Sequence, residues 1–511
     1  MRRYIALLSI LTLLLPACKE KVEPQPAEAD APRVVSTSPE DGVSGLTDKA
    51  LTIVFTFDQN IKCSAQAQAG ITVDGGAYID GVSAYATQLT VALGGLTRGK
   101  SYTLTLPEGT VQGYRANQKG SAAIQFHFSM KALPPTPVDP TDPKDWENAA
   151  SAVVNMGVGW NLGNTLESNS GDKDNMWIEA FTSRTVKDYE TAWGQPQATR
   201  ALIHMLREEG FGAIRVPVTW YPHMGTLSVS VSGDKGHWSS WTGSSVDPTW
   251  MARVKEVVGY VLDEGMYCIL NVHHDTGAAT TAWLRADNEV YDNVKDKYKA
   301  LWQQIATEFA SFGPRLVFES FNEMLDKNGT WNASTAQAHE VINKYNADFV
   351  ATVRATGGNN AYRNLILNTY AASTQQSVLT AFKLPDDTVQ GHLIAEVHSY
   401  APYRFAFDTD QPKEVFDAAC ESEVKGIIET LNTQLVSKGI PCVLGEFGAD
   451  TGKRSETELA KQAACYVSAA TKYHIACFYW MGLTDGQDRA VPQWTKPKLK
   501  DAILKAYEDS K

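Results

Sequence analysis

Two glutamates stand directly after apolar runs in this sequence. Glu323 closes the run over residues 316–323, and Glu446 closes the run over residues 441–446. A carboxyl group beside buried apolar residues is costly to desolvate, so a fold that keeps two of them there usually uses them. Paired carboxyl groups are the usual means of cleaving a glycosidic bond. The pair therefore favours glycosidic-bond chemistry.

The elements that must position these glutamates are apolar strand-like runs that alternate with helical segments. Eight such runs alternating with amphipathic stretches predict a TIM (β/α)8 barrel, whose strands are buried on both sides and whose chemistry lies at their carboxyl ends. The predicted strands are 153–160, 213–218, 267–273, 316–322, 364–369, 392–398, 441–446 and 475–480, and the predicted helices include 198–209, 250–264, 294–309, 336–356 and 456–471.

Six of the eight predicted strands bring polar or aromatic side chains to the same end. Chance would scatter such residues over both ends of the barrel, so their coincidence predicts a functional rim. The residues are Arg215, His273, His274, Asn322, Glu323, His398, Tyr400, Glu446 and Trp480.

Six motifs contain all of these residues except Trp480 or stand beside them: GWNLGNTL at 159–166, IRVPVTW at 214–220, NVHHD at 271–275, FNE at 321–323, VHSY at 397–400 and LGEFG at 444–448. Together with Trp480, these motifs resemble the ordered signature of glycoside hydrolase family 5. They occur in the family's order and extend over residues 160–480. The nearest likeness is to endo-β-1,4-glucanases of gut and rumen bacteria.

This resemblance implies a role for each rim residue. Glu323 would be the general acid/base and Glu446 the nucleophile of a retaining mechanism. Arg215 and Tyr400 would hold the Glu446 carboxylate. The remaining residues would bind the sugar or the catalytic pair: Asn322 at the 2-hydroxyl, Trp480 as an aromatic floor, and His273, His274 and His398 at hydroxyls or catalytic partners. No cofactor is implied.

The same residue types allow two other interpretations. His273, His274, Asp275, His398 and Glu446 are of the types that bind zinc. However, adjacent histidines point to opposite sides of a strand and no converging His spacing is present, so no metal is expected. The second reading is a non-catalytic surface protein that binds glycans on an inactive barrel.

The sequence leaves the preferred glycan open. Residues 481–489 lack the Asp-Asn-Gly ending of the nearest glucanase subfamily, and an insertion over 226–245 carries two tryptophans. The insertion would either extend a glycan cleft or cap the barrel. Endo-xyloglucanase, mixed-linkage glucanase and β-mannanase activities are therefore alternatives to hydrolysis of an unbranched β-1,4-glucan.

The first 18 residues predict export. A basic start, a short apolar run and the ending Leu15-Pro16-Ala17-Cys18 resemble a bacterial lipobox. Cys18 would then be the lipidated first residue, and 19–32 a solvated tether to the bacterial outer membrane, on the periplasmic face or the cell surface. An ordinary cleaved signal peptide is the alternative.

Residues 33–131 have a different pattern from the barrel. Short alternating runs separated by Gly, Asp and Asn predict an all-β sandwich that resembles a bacterial immunoglobulin-like domain. The proline-rich stretch 132–145 predicts a stiff linker to the barrel domain at 146–511. The predicted fold class is therefore multidomain, with an Ig-like sandwich followed by a TIM barrel. No disulfide is predicted.

Composition limits the partners. Hydrophobic residues at 43% and charged residues at 20% of 511 describe a globular protein. A net charge of −12 opposes binding to nucleic acid, whose phosphates an acidic surface repels. We expect a monomer whose partner is a neutral β-glucan polysaccharide.

Overall fold

The structure is a computed structural model that describes residues 30–47, 50–115, 119–132, 135, 138–332 and 335–511. The chain divides into two compact units between residues 133 and 134. The predicted signal peptide, Cys18 and most of the predicted tether lie outside the described residues. Within the described ranges, no helix has both the length and the apolar character needed to cross a membrane.

The first unit contains two four-stranded sheets. Their strand orders are β1-β3-β7-β6 and β2-β10-β8-β5, and β4 pairs with β9. The elements are β1 Val34–Ser38, β2 Val43–Leu46, β3 Leu51–Phe57, β4 Ile61–Lys62, α1 Ala65–Gln68, β5 Thr72–Val73, β6 Tyr78–Tyr85, β7 Gln88–Gly94, β8 Ser101–Leu106, β9 Gln112–Gly113 and β10 Ile124–Met130.

Alternation of side chains builds the core between these sheets. In β3, Ile53 and Phe55 are buried, and the same period recurs in β8 and β10. Phe55 of one sheet meets Phe126 of the other with ring centroids 5.8 Å apart. The predicted Ig-like sandwich is confirmed.

The second unit is a closed barrel of eight parallel strands. In barrel order they are β11 Val158–Asn161, β12 Ala213–Val216, β15 Tyr267–Asn271, β16 Leu316–Glu319, β17 Leu365–Asn368, β18 Leu393–Ser399, β19 Cys442–Phe447 and β20 Ala476–Trp480. The predicted TIM barrel is confirmed.

Helices surround the strands in alternation with them. The helices are α2 Ala149–Met156, α3 Trp177–Phe181, α4 Val186–Glu190, α5 Arg200–Glu209, α6 Pro248–Asp263, α7 Asn288–Glu308, α8 Ala336–Ala355, α9 Gln376–Ala381, α10 Tyr403–Ala406, α11 Ala418–Gln434, α12 Glu456–Thr471, α13 Gln487–Ala490 and α14 Pro497–Ser510. Short 3-10 turns occur at Pro143–Asp145, Tyr221–His223, Gly358–Ala361, Tyr370–Ala372 and Val436–Lys438.

The prediction of a strand over 153–160 was wrong in its first half. Residues up to Met156 belong to α2, which Asn148 caps by accepting a hydrogen bond from the Ser151 amide. Gly157 ends the helix with φ of +61°, a conformation that favours glycine. The apolar run was ambiguous because the buried face of α2 packs with the apolar interior of the barrel and is therefore as apolar as a strand.

The inside of the barrel has an apolar layer below a polar layer. Apolar residues such as Ile269, Val317 and Ile394 face inward and form one buried cluster. Side chains two positions apart in a strand point to the same face. In each strand, the next inward residue after the apolar one is therefore two positions further along and lies nearer the carboxyl end. Those positions hold a polar layer: Asn161, Arg215, Asn271, Glu319, Asn368 and Glu396, all fully buried.

The insertion over 226–245 forms a hairpin of β13, Met224–Ser232, and β14, Lys235–Val246. Its two tryptophans pack within the barrel unit. Trp238 lies 5.7 Å from the Tyr221 ring, and Trp241 lies 5.3 Å from the Trp283 ring. The Lys297 ammonium lies 3.5 Å from the Trp241 ring centroid.

The later part of the predicted linker belongs to the barrel unit. Asp139 forms an ion pair of 2.5 Å with Arg315, and the Trp146 indole donates to the Pro140 carbonyl. The ion pair attaches Asp139 to the barrel, and the hydrogen bond joins two residues of the segment itself. The later part of the predicted linker therefore packs on the barrel unit.

Candidate active site

A β-bulge determines where Glu446 points. Val397 of β18 pairs with Leu444, whereas His398 pairs with Glu446, so Gly445 is an extra residue in β19. Val443 faces the barrel interior, and regular alternation would place Gly445, rather than Glu446, on the same face. A bulge re-aims the side chain that follows it. This one brings Glu446 to the rim of the barrel.

Gly445 is needed because Glu396 occupies the space beside it. A Cβ atom at residue 445 would overlap the Glu396 carboxyl group at Oε1. Glu396 is fully buried and cannot move into solvent. Only glycine therefore allows the bulge and the buried carboxyl group to coexist.

We expect Gly445→Ala to lower both stability and activity. Overpacking of this kind costs about 1–3 kcal/mol of unfolding free energy. A shift of about 1 Å at the Glu446 carboxylate would lower kcat by about 100-fold. Thermal melting and hydrolysis of cellohexaose measure the two effects.

Gly426→Ala is the matched control, because Gly426 lies in the middle of α11 and a Cβ there meets no atom within 4 Å. Alanine is favoured over glycine in a helix by roughly 1 kcal/mol, so this variant should melt higher and keep full activity. Full activity of Gly445→Ala would contradict the assigned importance of the bulge.

Arg215 is the centre of a buried polar network. Its guanidinium donates to both oxygens of Glu319, at 2.6 and 2.8 Å, and to Glu446 Oε1 at 2.8 Å. It also donates to Asn161 Oδ1 at 3.0 Å and to Asn322 Oδ1 at 2.8 Å. A bidentate ion pair fixes the guanidinium plane, which then fixes the acceptors around it.

The environment of Glu446 favours its charged form. Burial alone raises the pKa of this carboxyl group. The charges of His398 and Arg215 and the hydrogen bond from the Tyr400 hydroxyl, at 2.6 Å from Oε2, outweigh burial and bring the pKa below its ordinary value. Glu446 is therefore an ionised carboxylate at neutral pH.

The environment of Glu323 has the opposite effect. Burial raises its pKa above the ordinary value, and the negative charge of Glu446 adds to the increase. A hydrogen bond of 3.0 Å to His398 Nδ1 lowers it only in part. The Glu323 side chain is 21% exposed, so a proton held there can reach a bound substrate.

His398 connects the two sides of the site. Its other nitrogen, Nε2, lies 3.2 Å from Glu396 Oε1. Burial lowers the pKa of His398, but the three surrounding glutamates, Glu446 first, raise it to about 10. Burial, followed by the charge of Glu319, raises the pKa of Glu396 to about 7. The imidazole is therefore protonated and donates from both nitrogens.

The separation of the two glutamates indicates how they can act. One carboxyl oxygen of Glu323, one ring nitrogen of His398 and one carboxyl oxygen of Glu446 all lie within 4.8 Å of one another. Retaining glycosidases hold their carboxyl groups about 5–5.5 Å apart, whereas inverting enzymes need about 6.5–9.5 Å to admit a water molecule. The predicted convergence is present, and the short separation suits attack by one carboxylate on the sugar.

Aromatic rings lie beside this pair. The Trp480 ring is parallel to His273, with centroids 5.7 Å apart, and His274 contacts Trp193 at 5.3 Å. Burial holds the pKa of His273 well below its ordinary value, so the ring is neutral. Asn271 Nδ2 lies 3.0 Å from His273 Nδ1 and donates to it. The His273 Nε2–H, 4.0 Å from Glu446 Oε1, therefore faces the site.

The zinc site considered from the sequence is not assembled in the described part of the chain. Asp275 instead accepts hydrogen bonds from the Trp220 and Tyr221 amides and the Trp283 indole. Among the described residues, Glu323, His398 and Glu446 form the only group of three or more His, Cys, Asp or Glu side chains whose donor atoms lie close enough to share an ion. A protonated His398 has no free lone pair, and the nearby Arg215 charge opposes a cation.

Sequence reasoning gave too little weight to the polar layer beneath the rim. Glu319 and Glu396 lie inside strands rather than after them, so the rim residues predicted from the sequence did not include them. Asn161, Asn271 and Asn368 were not among the predicted site residues either. Glu319 accepts from Asn271 and Asn368 as well as from Arg215. Strand alternation, counted from the inward apolar residues, was the signal that could have identified this layer.

The comparisons with known proteins agree with this geometry. Residues 172–485 match the family model described as Cellulase (glycosyl hydrolase family 5). The chain belongs to glycosyl hydrolase family 5. Residues 28–130 match the Bacterial Ig-like domain model, in agreement with the first unit.

Curated relatives of this family 5 member cover most of the chain. Endoglucanase B of Ruminococcus albus is 34% identical over 392 residues, which are 74% of this chain and 85% of the relative. Endoglucanase A of Clostridium longisporum is 32% identical over 406 residues, 76% of this chain and 71% of the relative.

A solved structure of a family 5 glycoside hydrolase, PbGH5A from Prevotella bryantii, is 42% identical to the chain. It matches 71% of this chain and 98% of its own, with a TM-score of 0.62. A mutant of that enzyme has been solved with the xyloglucan tetradecasaccharide XXXGXXXG. The barrel of the present chain is therefore a family 5 glycoside hydrolase domain.

Proposed function

We infer that this protein is a retaining endo-β-1,4-glucanase that cuts internal bonds of a plant polysaccharide. The observation that carries this inference is the approach of Glu323 and Glu446 to within 4.8 Å at the mouth of the barrel. Family membership and the endoglucanase relatives support the same activity.

In the first step, Glu446 is the nucleophile and Glu323 the general acid. The Glu446 carboxylate attacks the anomeric carbon while Glu323 gives its proton to the glycosidic oxygen, which releases the leaving sugar and leaves a glycosyl ester on Glu446. The raised pKa of Glu323 and the lowered pKa of Glu446 supply the required protonation states.

In the second step, Glu323 acts as a base. Its carboxylate takes a proton from water, the water oxygen attacks the anomeric carbon, and the bond to Glu446 breaks with the carboxylate as leaving group. Two inversions at one carbon give overall retention. Arg215 and Tyr400 stabilise the charge that returns to Glu446.

The neighbouring residues hold the sugar at the cleavage point. Asn322 Oδ1 already accepts a hydrogen bond from Arg215. The Asn322 side-chain nitrogen is therefore the group that donates to the sugar 2-hydroxyl. The half-exposed Trp480 ring offers an apolar face to the pyranose. His273 and His274, on the same side, bind further hydroxyl groups.

Xyloglucan is a second substrate that a specific observation favours. The structure neighbours include an enzyme bound to a xyloglucan oligosaccharide and enzymes described as broad-specificity endoglucanases. We propose that the cleft accepts a β-1,4-glucan backbone with or without side branches.

Release of reducing ends tests the substrate class. We expect purified protein to hydrolyse carboxymethylcellulose, mixed-linkage glucan and xyloglucan, and to be at least about tenfold slower on mannan, because the 2-hydroxyl that Asn322 contacts is axial in mannose. Glu446→Gln is the inactive control. Binding to all four polymers without release of reducing ends would instead indicate a non-catalytic glycan-binding protein.

We further propose that the protein is exported, lipid-anchored through Cys18 and monomeric. The lipobox-like sequence supports the anchor, and the Ig-like unit at 33–131 stands in the sequence between Cys18 and the catalytic domain, where it would act as a spacer. The full chain expressed in a bacterial host should partition into detergent, and Cys18→Ala should not. Equal partitioning of the two would contradict lipidation at Cys18.

A further inference from the structure

Two exposed aromatic side chains lie in the loop that follows β18. Tyr403 is 66% exposed and Phe407 is 39% exposed. Their ring centroids are 6.3 Å apart, and the two residues occupy successive turns around the short helix α10. Large apolar rings left in solvent side by side indicate a binding surface rather than core packing.

The loop that carries these rings is fixed from below. Phe405, between them in sequence, is fully buried and packs on Phe416 with centroids 5.4 Å apart. The Asp450 amide donates to the Ala406 carbonyl at 3.0 Å, and Arg454 Nη2 donates to the Arg404 carbonyl at 3.2 Å. The exposed rings are therefore held in place before any ligand binds, which lowers the entropy lost on binding.

The ring pair is continuous with the catalytic centre. Phe407 contacts the Tyr400 ring, with centroids 4.8 Å apart. The Tyr400 hydroxyl in turn donates to Glu446 Oε2. The aromatic surface thus begins at a residue that contacts the nucleophile and extends outward through Phe407 to Tyr403.

The barrel order places this pair opposite the other aromatic group. Glu323 follows β16, and Glu446 lies near the carboxyl end of β19. One arc between these strands contains β17 and β18, and the other contains β20, β11, β12 and β15. Tyr403 and Phe407 follow β18, on the first arc. Trp480, His273, His274 and Trp193 belong to the second arc.

A glucan cut between the two glutamates must extend over both arcs. Under the proposed function, Trp480 holds the sugar whose anomeric carbon is attacked, so that sugar and the chain attached to its nonreducing end lie over the second arc. The sugars released in the first step then lie over the first arc, where the exposed rings are found.

We propose that Phe407 and Tyr403 form a subsite for glucose units on the leaving-group side of the scissile bond. The inference rests on the proposed function. Aromatic rings bind the apolar faces of pyranose units and tolerate differences in side branching. The same subsite receives a sugar acceptor when its hydroxyl, instead of water, attacks the glycosyl ester, with Glu323 taking the hydroxyl proton and Glu446 leaving as a carboxylate.

Two substrates that differ in what lies on the leaving-group side of the scissile bond separate this subsite from the chemistry. Cellohexaose places sugars on both sides of the cut, whereas β-cellobiosyl fluoride leaves only fluoride and occupies no leaving-group subsite. In Tyr403→Ala/Phe407→Ala, we expect the ratio of kcat/KM for cellohexaose to that for the fluoride to fall at least about tenfold. Transfer of the glycosyl group to added cellobiose, measured as tetrasaccharide formed, should fall by a similar factor.

Two controls accompany the double variant. Tyr403→Phe/Phe407→Tyr keeps both rings and should retain the wild-type ratio. Phe181→Ala removes another exposed ring, 53% exposed on α3, and should leave all rates unchanged. Melting temperatures show whether each variant is folded.

The outcomes distinguish this proposal from the proposed function. An unchanged ratio with unchanged transfer to cellobiose would overturn the subsite. An equal loss on both substrates would also overturn it, because the loop would then act only by supporting Tyr400. Failure of the wild-type protein to hydrolyse either substrate would instead contradict the proposed function.

Discussion

Replacing Glu446 with alanine lowers kcat on cellohexaose by at least about 10⁴-fold, because removal of a nucleophile that forms a covalent intermediate abolishes the two-step route. The fold should persist, since Arg215 keeps its bidentate pair with Glu319 and its contacts with two asparagines. Initial rates of wild type and variant, with melting temperatures for both, measure the effect.

Azide provides the internal control for this variant. It fits the space left by the carboxylate and attacks the anomeric carbon from the same face, so Glu446→Ala should convert β-cellobiosyl fluoride into the α-azide. Tyr400→Phe removes only one hydrogen bond to the carboxylate and should lose about 10–100-fold, and it should give no azide product. A Glu446→Ala variant with near-normal activity would contradict the assigned role.

Replacing Glu323 with alanine produces a loss that depends on the leaving group. General acid catalysis contributes about 10²–10⁴-fold, so kcat/KM for cellohexaose should fall within that range. Fluoride leaves without a full proton transfer, so kcat/KM for β-cellobiosyl fluoride should fall by less than about tenfold. The second step still lacks its base, and the glycosyl ester on Glu446 should therefore accumulate.

The pH dependence of the same variant tests the protonation states. In the wild type, kcat/KM requires an ionised Glu446 and a protonated Glu323. Activity falls on the acidic side as Glu446 gains a proton and on the alkaline side as Glu323 loses one. For Glu323→Ala with the fluoride substrate, the acidic limb should remain and the alkaline limb should disappear. If the loss of activity at alkaline pH were unchanged in Glu323→Ala, a group other than Glu323 would be responsible for it.

The rim residues could be predicted because strand order and strand ends can be read from apolar runs. Glu323, His398 and Glu446 each end or nearly end such a run, and parallel strands of a barrel bring their carboxyl ends together. The same approach wrongly predicted a strand at residues 153–156. These residues belong to α2, whose face against the barrel is as apolar as a strand.

The interior layer was harder to predict because it depends on register. Whether Glu396 faces the barrel interior or a helix depends on a shift of one residue, which reverses every side chain in a strand. The bulge at Gly445 is such a shift, and glycine is required there because a Cβ atom would overlap the Glu396 carboxyl group on the neighbouring strand. A contact between two strands cannot be read from either strand alone.

The structure explains how one small site holds two carboxyl groups in different states. Arg215 and Tyr400 donate hydrogen bonds to Glu446, whereas Glu323 is hydrogen-bonded to His398. Glu319 fixes Arg215, and Glu396 fixes His398. Glu319 and Glu396 therefore orient the two cationic side chains, Arg215 and His398. These cations in turn influence the charge states of Glu446 and Glu323.

Mass spectrometry of the protein after reaction with 2-deoxy-2-fluoro-β-cellobiosyl fluoride tests the central claim most directly. Fluorine at C2 slows both steps, and the good leaving group lets the first step outrun the second, so the ester accumulates. We predict one adduct on the peptide that contains Glu446, and none in Glu446→Gln. An adduct on another residue, or no adduct while the enzyme still turns over and releases the α-anomer first, would contradict a retaining pair of Glu323 and Glu446.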